Sequence, residues 1–457
     1  MKIIICGAGR VGSGIARELA GEGNAVTVID LSADLIRQTT DELDVQGLVG
    51  HGAHPDVLER AGARDSDMII AVTHSDEVNM MACQIGHALF AIPTKIARVR
   101  AQSYLDPAWQ ALFSREHLAI DATISPEIEV ARSVLRRLQA PGSFEVIDFA
   151  DGAVKVVGVH IGPDCPVMDA PLRQLSELFP DLKAVVVGIM RKERFFVPDP
   201  TDMLTLGDEC YFVAARENVP RTLENFGYRK RDTRRVIVIG AGHIGLNVSR
   251  ELERLPGMKI RMIERDKARA EAAADMLRRT IVLNGDGVDQ QVLADAGVAE
   301  TEAVVALTND DDTNVLSAVL ARHAGAQRTL ALINKPAYGA LSRSLGIDAY
   351  IDPRATTVST ILQHVRRGRI KGLYSIAEGA AEVIEAEALD TSPLVGKALR
   401  DAPIPAGIIV GALIRQGTVI FPRGDTVIEA LDRVVLLALR DDVRKVEHLF
   451  RVSVDYF

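Results

Sequence analysis

Residues 2–19 read KIIICGAGRVGSGIAREL, and residues 236–252 read VIVIGAGHIGLNVSREL. Each is a short apolar run, a Gly-x-Gly-x-x-Gly turn and the start of an amphipathic helix. A strand–turn–helix of this kind has a specific physical use. Gly7 and Gly240 permit the tight turn, Gly9 and Gly242 let a pyrophosphate approach the backbone, and Gly12 and Gly245 permit close helix–strand packing. The N–H groups of the helix N-terminus then face the phosphate charge. Ala8, Arg10 and Val11 fill the first loop, and Ala241, His243 and Ile244 fill the second. Arg10 can reach a phosphate, whereas His243 does so strongly only when protonated.

A carboxylate ends the strand after each loop. Asp30 closes Val26–Ile29, and Glu264 closes Ile260–Ile263. At this spacing an acidic residue accepts the hydroxyls of an adenine ribose and repels a 2′-phosphate. NAD(H) or an adenine nucleotide is therefore expected over NADP(H) at both sites, although Arg265 beside Glu264 weakens the argument at the second. Thr73 and His74, and their counterparts Thr308 and Asn309, follow the fourth strand of each copy, at the end where open α/β sheets bind ligands. His51 and Asp286 follow the third strand. Arg98 lies on the fifth, where the second copy has Leu332, so the two pockets differ in charge.

The repetition extends over the whole chain. Val57-Leu58, Ala61-Gly62, Thr73, Asp76 and Asn79 recur as Val292-Leu293, Ala296-Gly297, Thr308, Asp311 and Asn314, and Pro198 and Asp208 recur as Pro422 and Asp432. Each copy holds two textures. Alternating strand and helix patterns imply a doubly wound parallel sheet of Rossmann type, and shorter strands with turns imply a small α+β domain. The boundaries read as 1–122 (first nucleotide-binding domain), 123–143 (connecting helix), 144–227 (first small domain) and 228–235 (linker). The second copy reads as 236–352, 353–371 and 372–457. Strands are expected at Lys2–Cys6, Ala25–Ile29, Gln46–Val49, Met68–Val72 and Lys95–Val99, with helices at Pro126–Gln139, Leu172–Leu178 and Pro353–Arg369.

Composition narrows the function. The 457 residues carry a formal charge of −9 and 4% aromatics, which argues against a nucleic-acid partner and against a base-stacking platform. The basic run YRKRDTRR at 228–235 is read as a solvated linker. Cys6, Cys83, Cys165 and Cys210 are widely spaced and are expected as reduced thiols. No signal peptide and no membrane span is expected. His51-x-x-His54 has no third ligand nearby and is read as loop, so neither a metal site nor a catalytic residue is expected.

These motifs together resemble the RCK (regulator of potassium conductance) family, in a two-repeat form. The marks are the opening KIIICGAGRVG, GHGAHPDVLERAGARDSDMIIAVTHSDEVNM at 50–80, ISPE at 124–127 and SPLVGKAL at 392–399. The resemblance implies a cytoplasmic regulatory subunit, peripheral on the inner face of the membrane and attached to a membrane-embedded Trk-type potassium transporter. It implies a homodimer whose four nucleotide-binding domains form a ring gated by NAD(H) or ATP/ADP. By position, the first site comprises Gly7–Gly12, Asp30, Thr73, His74 and Arg98, and takes NAD(H). The second comprises Gly240–Gly245, Glu264, Thr308 and Asn309, and takes NAD(H) or ATP/ADP. The alternative is an NAD-dependent oxidoreductase. It would need a proton donor beside the nicotinamide, and only His74 is placed for that.

Overall fold

The computed structural model describes residues 1–140, 142–174, 183–228, 233–342, 344–365 and 370–450. The chain divides into two compact units, Met1–Arg132 with Asp352–Arg366, and Ser133–Ile351 with Arg367–Phe457.

The first unit is a six-stranded, wholly parallel sheet. Its strands are β1 (Lys2–Cys6), β2 (Ala25–Asp30), β3 (Gln46–Val49), β4 (Met68–Ala71), β5 (Thr94–Arg98) and β6 (Ala122–Ile124), in the order β3-β2-β1-β4-β5-β6. The strand order reverses between β1 and β4, so the loops after these two strands open side by side. β4 is buried throughout, and β1 after Lys2, as expected for strands covered by helices on both faces. β6 is not among the strands expected from sequence: three residues, Ala-Thr-Ile, carry too little pattern. It pairs with β5 through Ile96, Ala97 and Arg98 and places Ser125 and Glu127 at the ligand end of the sheet.

One face of this sheet is covered by the helix Arg10–Gly21, which buries Ile15, Ala16 and Leu19. The helix Pro353–Val365 packs on the same face, contributing Val358, Ile361, Leu362 and Val365 to that core. The first domain is thus completed by the connecting helix of the second copy. A Cβ on Gly14 would stand 3.1 Å from Val358 Cγ2, so the two helices cross closely at a glycine. Sequence reading carried this helix to Arg369; residues 366–369 lie outside the described set, as does most of the helix expected at Leu172–Leu178.

The second unit contains the equivalent parallel sheet, β12 (Arg235–Ile239), β13 (Lys259–Glu264), β14 (Ile281–Asn284), β15 (Ala303–Ala306), β16 (Thr329–Leu332) and β17 (Ala349–Ile351), ordered β14-β13-β12-β15-β16-β17. Arg235, read as linker, is already in β12, where Glu302 accepts its backbone N–H and its guanidinium. The two small domains are five-stranded antiparallel sheets of one topology. The first has β7 (Ser143–Phe149), β8 (Val154–His160), β9 (Ala184–Arg191), β10 (Arg194–Phe196) and β11 (Glu209–Ala215), ordered β10-β9-β11-β8-β7. The second has β18 (Ile370–Ile376), β19 (Ala381–Glu387), β20 (Ile408–Arg415), β21 (Thr418–Ile420) and β22 (Arg433–Leu439), ordered β18-β19-β22-β20-β21. The sheets share one core, where Ile147, Val156, Val187 and Val213 meet Val383, Ala412, Val435 and Leu437. Polar contacts lock its edge. Buried Glu385 accepts from Ala150 N at 2.9 Å, and Arg433 bridges Glu385 and Asp151.

Candidate functional site

Each site forms where the strand order reverses. In the first, Gly7 has φ +112°, and a Cβ there would come within 3.1 Å of Thr73 N and the Val72 carbonyl. The turns after β1 and β4 therefore touch, and only glycine fits. A Cβ on Gly12 would overlap the Gly7 carbonyl oxygen, so the helix starts directly against the turn. A Cβ on Gly9 would meet nothing within 4 Å. Its openness faces the space a phosphate needs. Gly9 is also the N-cap of the helix and supplies no side-chain acceptor. The first-turn N–H groups thus have no side-chain partner, leaving a partial positive charge at the mouth of the site. The second site repeats this: Gly240 has φ +105°, Gly245 abuts the Gly240 carbonyl, and Gly242 faces open space and caps its helix without a side chain.

Each strand-ending carboxylate holds its own glycine loop. Asp30 Oδ2 accepts from Ala8 N at 2.7 Å and Oδ1 from Ser32 N at 2.8 Å, so it fixes the glycine loop to β2. Glu264 does the same, Oε2 accepting from Ala241 N at 2.8 Å and Oε1 from Asp266 N at 2.9 Å. Glu264 has a third donor, Arg269 Nη2, at 2.7 Å from Oε1. Burial pushes the Glu264 carboxyl up. The N–H groups of Ala241 and Asp266, together with Arg269, outweigh it and hold the carboxyl below its usual range.

Thr73 and Thr308 are held alike. Asn79 Oδ1 accepts from Thr73 N at 2.8 Å and Oγ1 at 2.7 Å, and Asn314 Oδ1 accepts from Thr308 at the same two distances. The asparagine amides donate onward, Asn79 Nδ2 to Arg98 O and Asn314 Nδ2 to Leu332 O, both at 2.9 Å. Asp76 accepts from the backbone of Arg100 and Ala101, and Asp311 from Asn334 and Lys335. These buried asparagines and aspartates shape the pockets, and they were not among the expected site residues. Their signal was available as recurrence: Asp76 and Asn79 return as Asp311 and Asn314.

The remaining expected residues divide. Arg98 sits at the end of β5 with Nε buried and without a hydrogen-bond partner. Burial lowers its pKa, and neighbouring Arg100 adds to the effect. The nearby carboxylates of Glu127 and Asp76 act the other way. Ser125 Oγ and Glu127 Oε2, next to Arg98 in the chain fold, are also buried and unpartnered. Arg10, His243, His74 and Asn309 are exposed. His51 accepts Ala53 N at Nδ1 and stacks on His54 with ring centroids 4.4 Å apart. Asp286, its counterpart, accepts Val288 N. Among the described residues no cluster of three or more His, Cys, Asp or Glu side chains could hold a metal. No described helix is long and apolar enough to cross a membrane.

Two Rossmann-type sheets with paired glycine-loop sites, each followed by a small antiparallel domain, define a tandem RCK architecture. The RCK domain of GsuK has it, with a TM-score of 0.60 at 16% identity over 98% of this chain and 94% of that one. The structure titled GsuK channel bound to NAD gives 0.61 at 16% identity over 98% and 78%. The TrkA-N domain model matches residues 3–126 and 236–353, and the TrkA-C domain model matches 156–227 and 383–451. The Trk system potassium uptake protein TrkA of Azorhizobium caulinodans is 53% identical over 100% of both chains, and that of Halomonas elongata is 39% identical over 100% of both. The chain belongs to the TrkA family of Trk-system potassium uptake proteins. These relatives are named as potassium uptake proteins and not as enzymes.

Proposed function

We propose that this chain is the nucleotide-sensing regulatory subunit of a Trk-type potassium uptake system. In this reading it docks on the cytoplasmic face of a membrane-embedded transporter. A homodimer contributes four nucleotide-binding domains to a ring beneath the pore. The observation that carries the proposal is the pair of uncapped, glycine-opened helix N-termini, each beside a strand-ending carboxylate, in a chain that matches potassium uptake proteins end to end. NAD(H) is the ligand proposed for Gly7–Gly12, Asp30, Thr73 and Arg98, and a nicotinamide or adenine nucleotide for Gly240–Gly245, Glu264 and Thr308.

The physical requirement is unequal affinity for two ring conformations, since a ligand that binds both equally moves nothing. The phosphates would lie on the first-turn N–H groups, and Arg98, at the end of β5, would add positive charge to the pocket. A strain lacking the protein, complemented with wild type or with Gly9→Asp and Gly242→Asp variants, tests this through potassium uptake at limiting external potassium. The expected result is uptake restored by wild type, and nucleotide-dependent modulation lost in the variants. Uptake indifferent to deletion would end the regulatory reading.

A further inference from the structure

The two pockets differ most at the rim that faces the ribose. Aligning Asp30 with Glu264 places Leu31, Ala33 and Leu35 opposite Arg265, Lys267 and Arg269, and the strand register pairs Asp30 with Val49 and Glu264 with Asn284. In the first pocket Leu31, Leu35 and Val49 are all exposed, with relative exposures of 66%, 36% and 47%. The exposed side chains at these three positions near Asp30 are thus aliphatic and uncharged. The second pocket has cations there instead. Arg269 bonds Glu264 Oε1 at 2.7 Å while 61% of its side chain stays exposed. Asn284 Nδ2 donates to the carbonyls of Glu264 and Arg265, at 2.9 and 3.0 Å, which fixes the backbone from which Arg265 projects. Lys267 leans outward to Glu271 at 3.9 Å.

The acidic neighbours are already engaged. Asp266 Oδ1 accepts Arg269 N, Asp286 Oδ1 accepts Val288 N, and Asp289 accepts Gln291 N and Val292 N. Glu264 itself accepts two backbone N–H groups and a guanidinium, so the charge that would repel a ribose phosphate is countered by Arg269. Among the described residues Asp30 accepts from backbone N–H groups alone, so the argument against a 2′-phosphate rests on a carboxylate without a cationic partner there and with one at Glu264.

We infer that the second pocket selects an adenine nucleotide phosphorylated on its ribose, with Arg265 and Arg269 as the phosphate contacts, while the first selects the unphosphorylated ribose. The inference rests on the reading of both glycine loops as nucleotide sites. An arginine pair suits the planar, multidentate recognition of a phosphate monoester.

The test is calorimetric titration of the full chain carrying Gly9→Asp, which silences the first pocket, with NADH and NADPH, and with 5′-ADP and 2′,5′-ADP. The last pair separates the ribose phosphate from the nicotinamide half. The 2′-phosphorylated member of each pair should bind about tenfold tighter or more, the scale of one or two charge-assisted hydrogen bonds. R265L/R269L should erase that preference. The reciprocal L31R/L35R, placed in a chain silenced by Gly242→Asp, should transfer it to the first pocket, which keeps the test informative if the first double variant misfolds. Equal or weaker binding of NADPH, or a preference that survives R265L/R269L, would overturn the inference alone. No binding of any of the four by the wild-type chain would overturn the nucleotide reading and this inference with it.

Discussion

Gly9 and Gly12 lie three residues apart and carry opposite constraints. Gly12→Ala drives a methyl group into the Gly7 carbonyl, and the helix must move away from the turn. A loss of roughly 1–3 kcal/mol is expected, the usual cost of overpacking, read as a lower melting temperature. Gly9→Ala meets open space at an ordinary φ of −67° and should change stability by less than about 1 kcal/mol. Equal effects at the two positions would contradict the geometry. The thiols give a second residue-level expectation. Burial pushes Cys6 up to about 12 and pushes Cys83 up further, with Cys6 beside it adding to the shift. Neither holds appreciable thiolate at neutral pH, so alkylation should await unfolding. Labelling of Cys6 in the native chain at a rate near that of a free thiol would show that β1 opens.

At the scale of elements, the small domains repeat one device. Arg191 grips buried Asp208 with two bonds, Nε at 2.8 Å and Nη2 at 2.7 Å, and Arg415 grips Asp432 with the same pair of atoms at 2.9 and 2.7 Å. Each arginine also reaches a loop carbonyl, of Met203 or Val427, so each pair ties a strand to the loop that follows. Burial raises the Asp208 carboxyl, and Arg191 and Thr205 more than offset it, leaving the folded pKa below its usual value. A folded pKa below the unfolded one gives stability that is complete above the unfolded value. That stability is lost as pH falls from about 4 through the folded value. Asp208→Asn should therefore lose about 2 kcal/mol at neutral pH, the scale of hydrogen bonds to a charged group, and show a flatter acid limb in urea-unfolding curves. An acid limb identical to wild type would remove Asp208 as its source. In the first unit, fully buried Ile361 of the helix Pro353–Val365 sits in the core with Ile15 and Leu19. Ile361→Ala should cost about 2–5 kcal/mol, and the loss should fall on the first nucleotide-binding domain although the substitution is in the second copy.

At the scale of the molecule, duplication has produced two interlocked copies rather than two beads. Val358, Ile361, Leu362 and Val365 cover apolar surface that the first copy exposes without them, and the two small domains bury one common core. A chain ending at residue 234 loses both coverings. It is expected to unfold without a cooperative transition or to aggregate, as followed by calorimetry and light scattering. Adding residues 235–457 in trans should restore a cooperative melt. A half-chain that melts cooperatively by itself would show that the shared cores are dispensable.

Much of this was legible in the residues. The glycine spacing, the strand-ending carboxylates and the repeated Thr, Asp and Asn positions depend on local backbone geometry, on the turn a glycine permits and the N–H groups a helix start leaves over. Those rules act within a few residues, so sequence determined the two sheets, the paired loops and the tandem plan. Only the tertiary structure decided what depends on residues far apart in the chain. It set the short strand Ala122–Ile124 against β5, and it placed Pro353–Val365 on the first domain's helix. Among the described residues it left Arg98 Nε without a partner and gave Glu264 an arginine that Asp30 lacks. The physical reason is that burial and charge compensation are properties of the whole set of atoms around a group. The two rims already differ in sequence, Leu31 and Leu35 against Arg265 and Arg269, and folding decided that Arg269 reaches the Glu264 carboxylate.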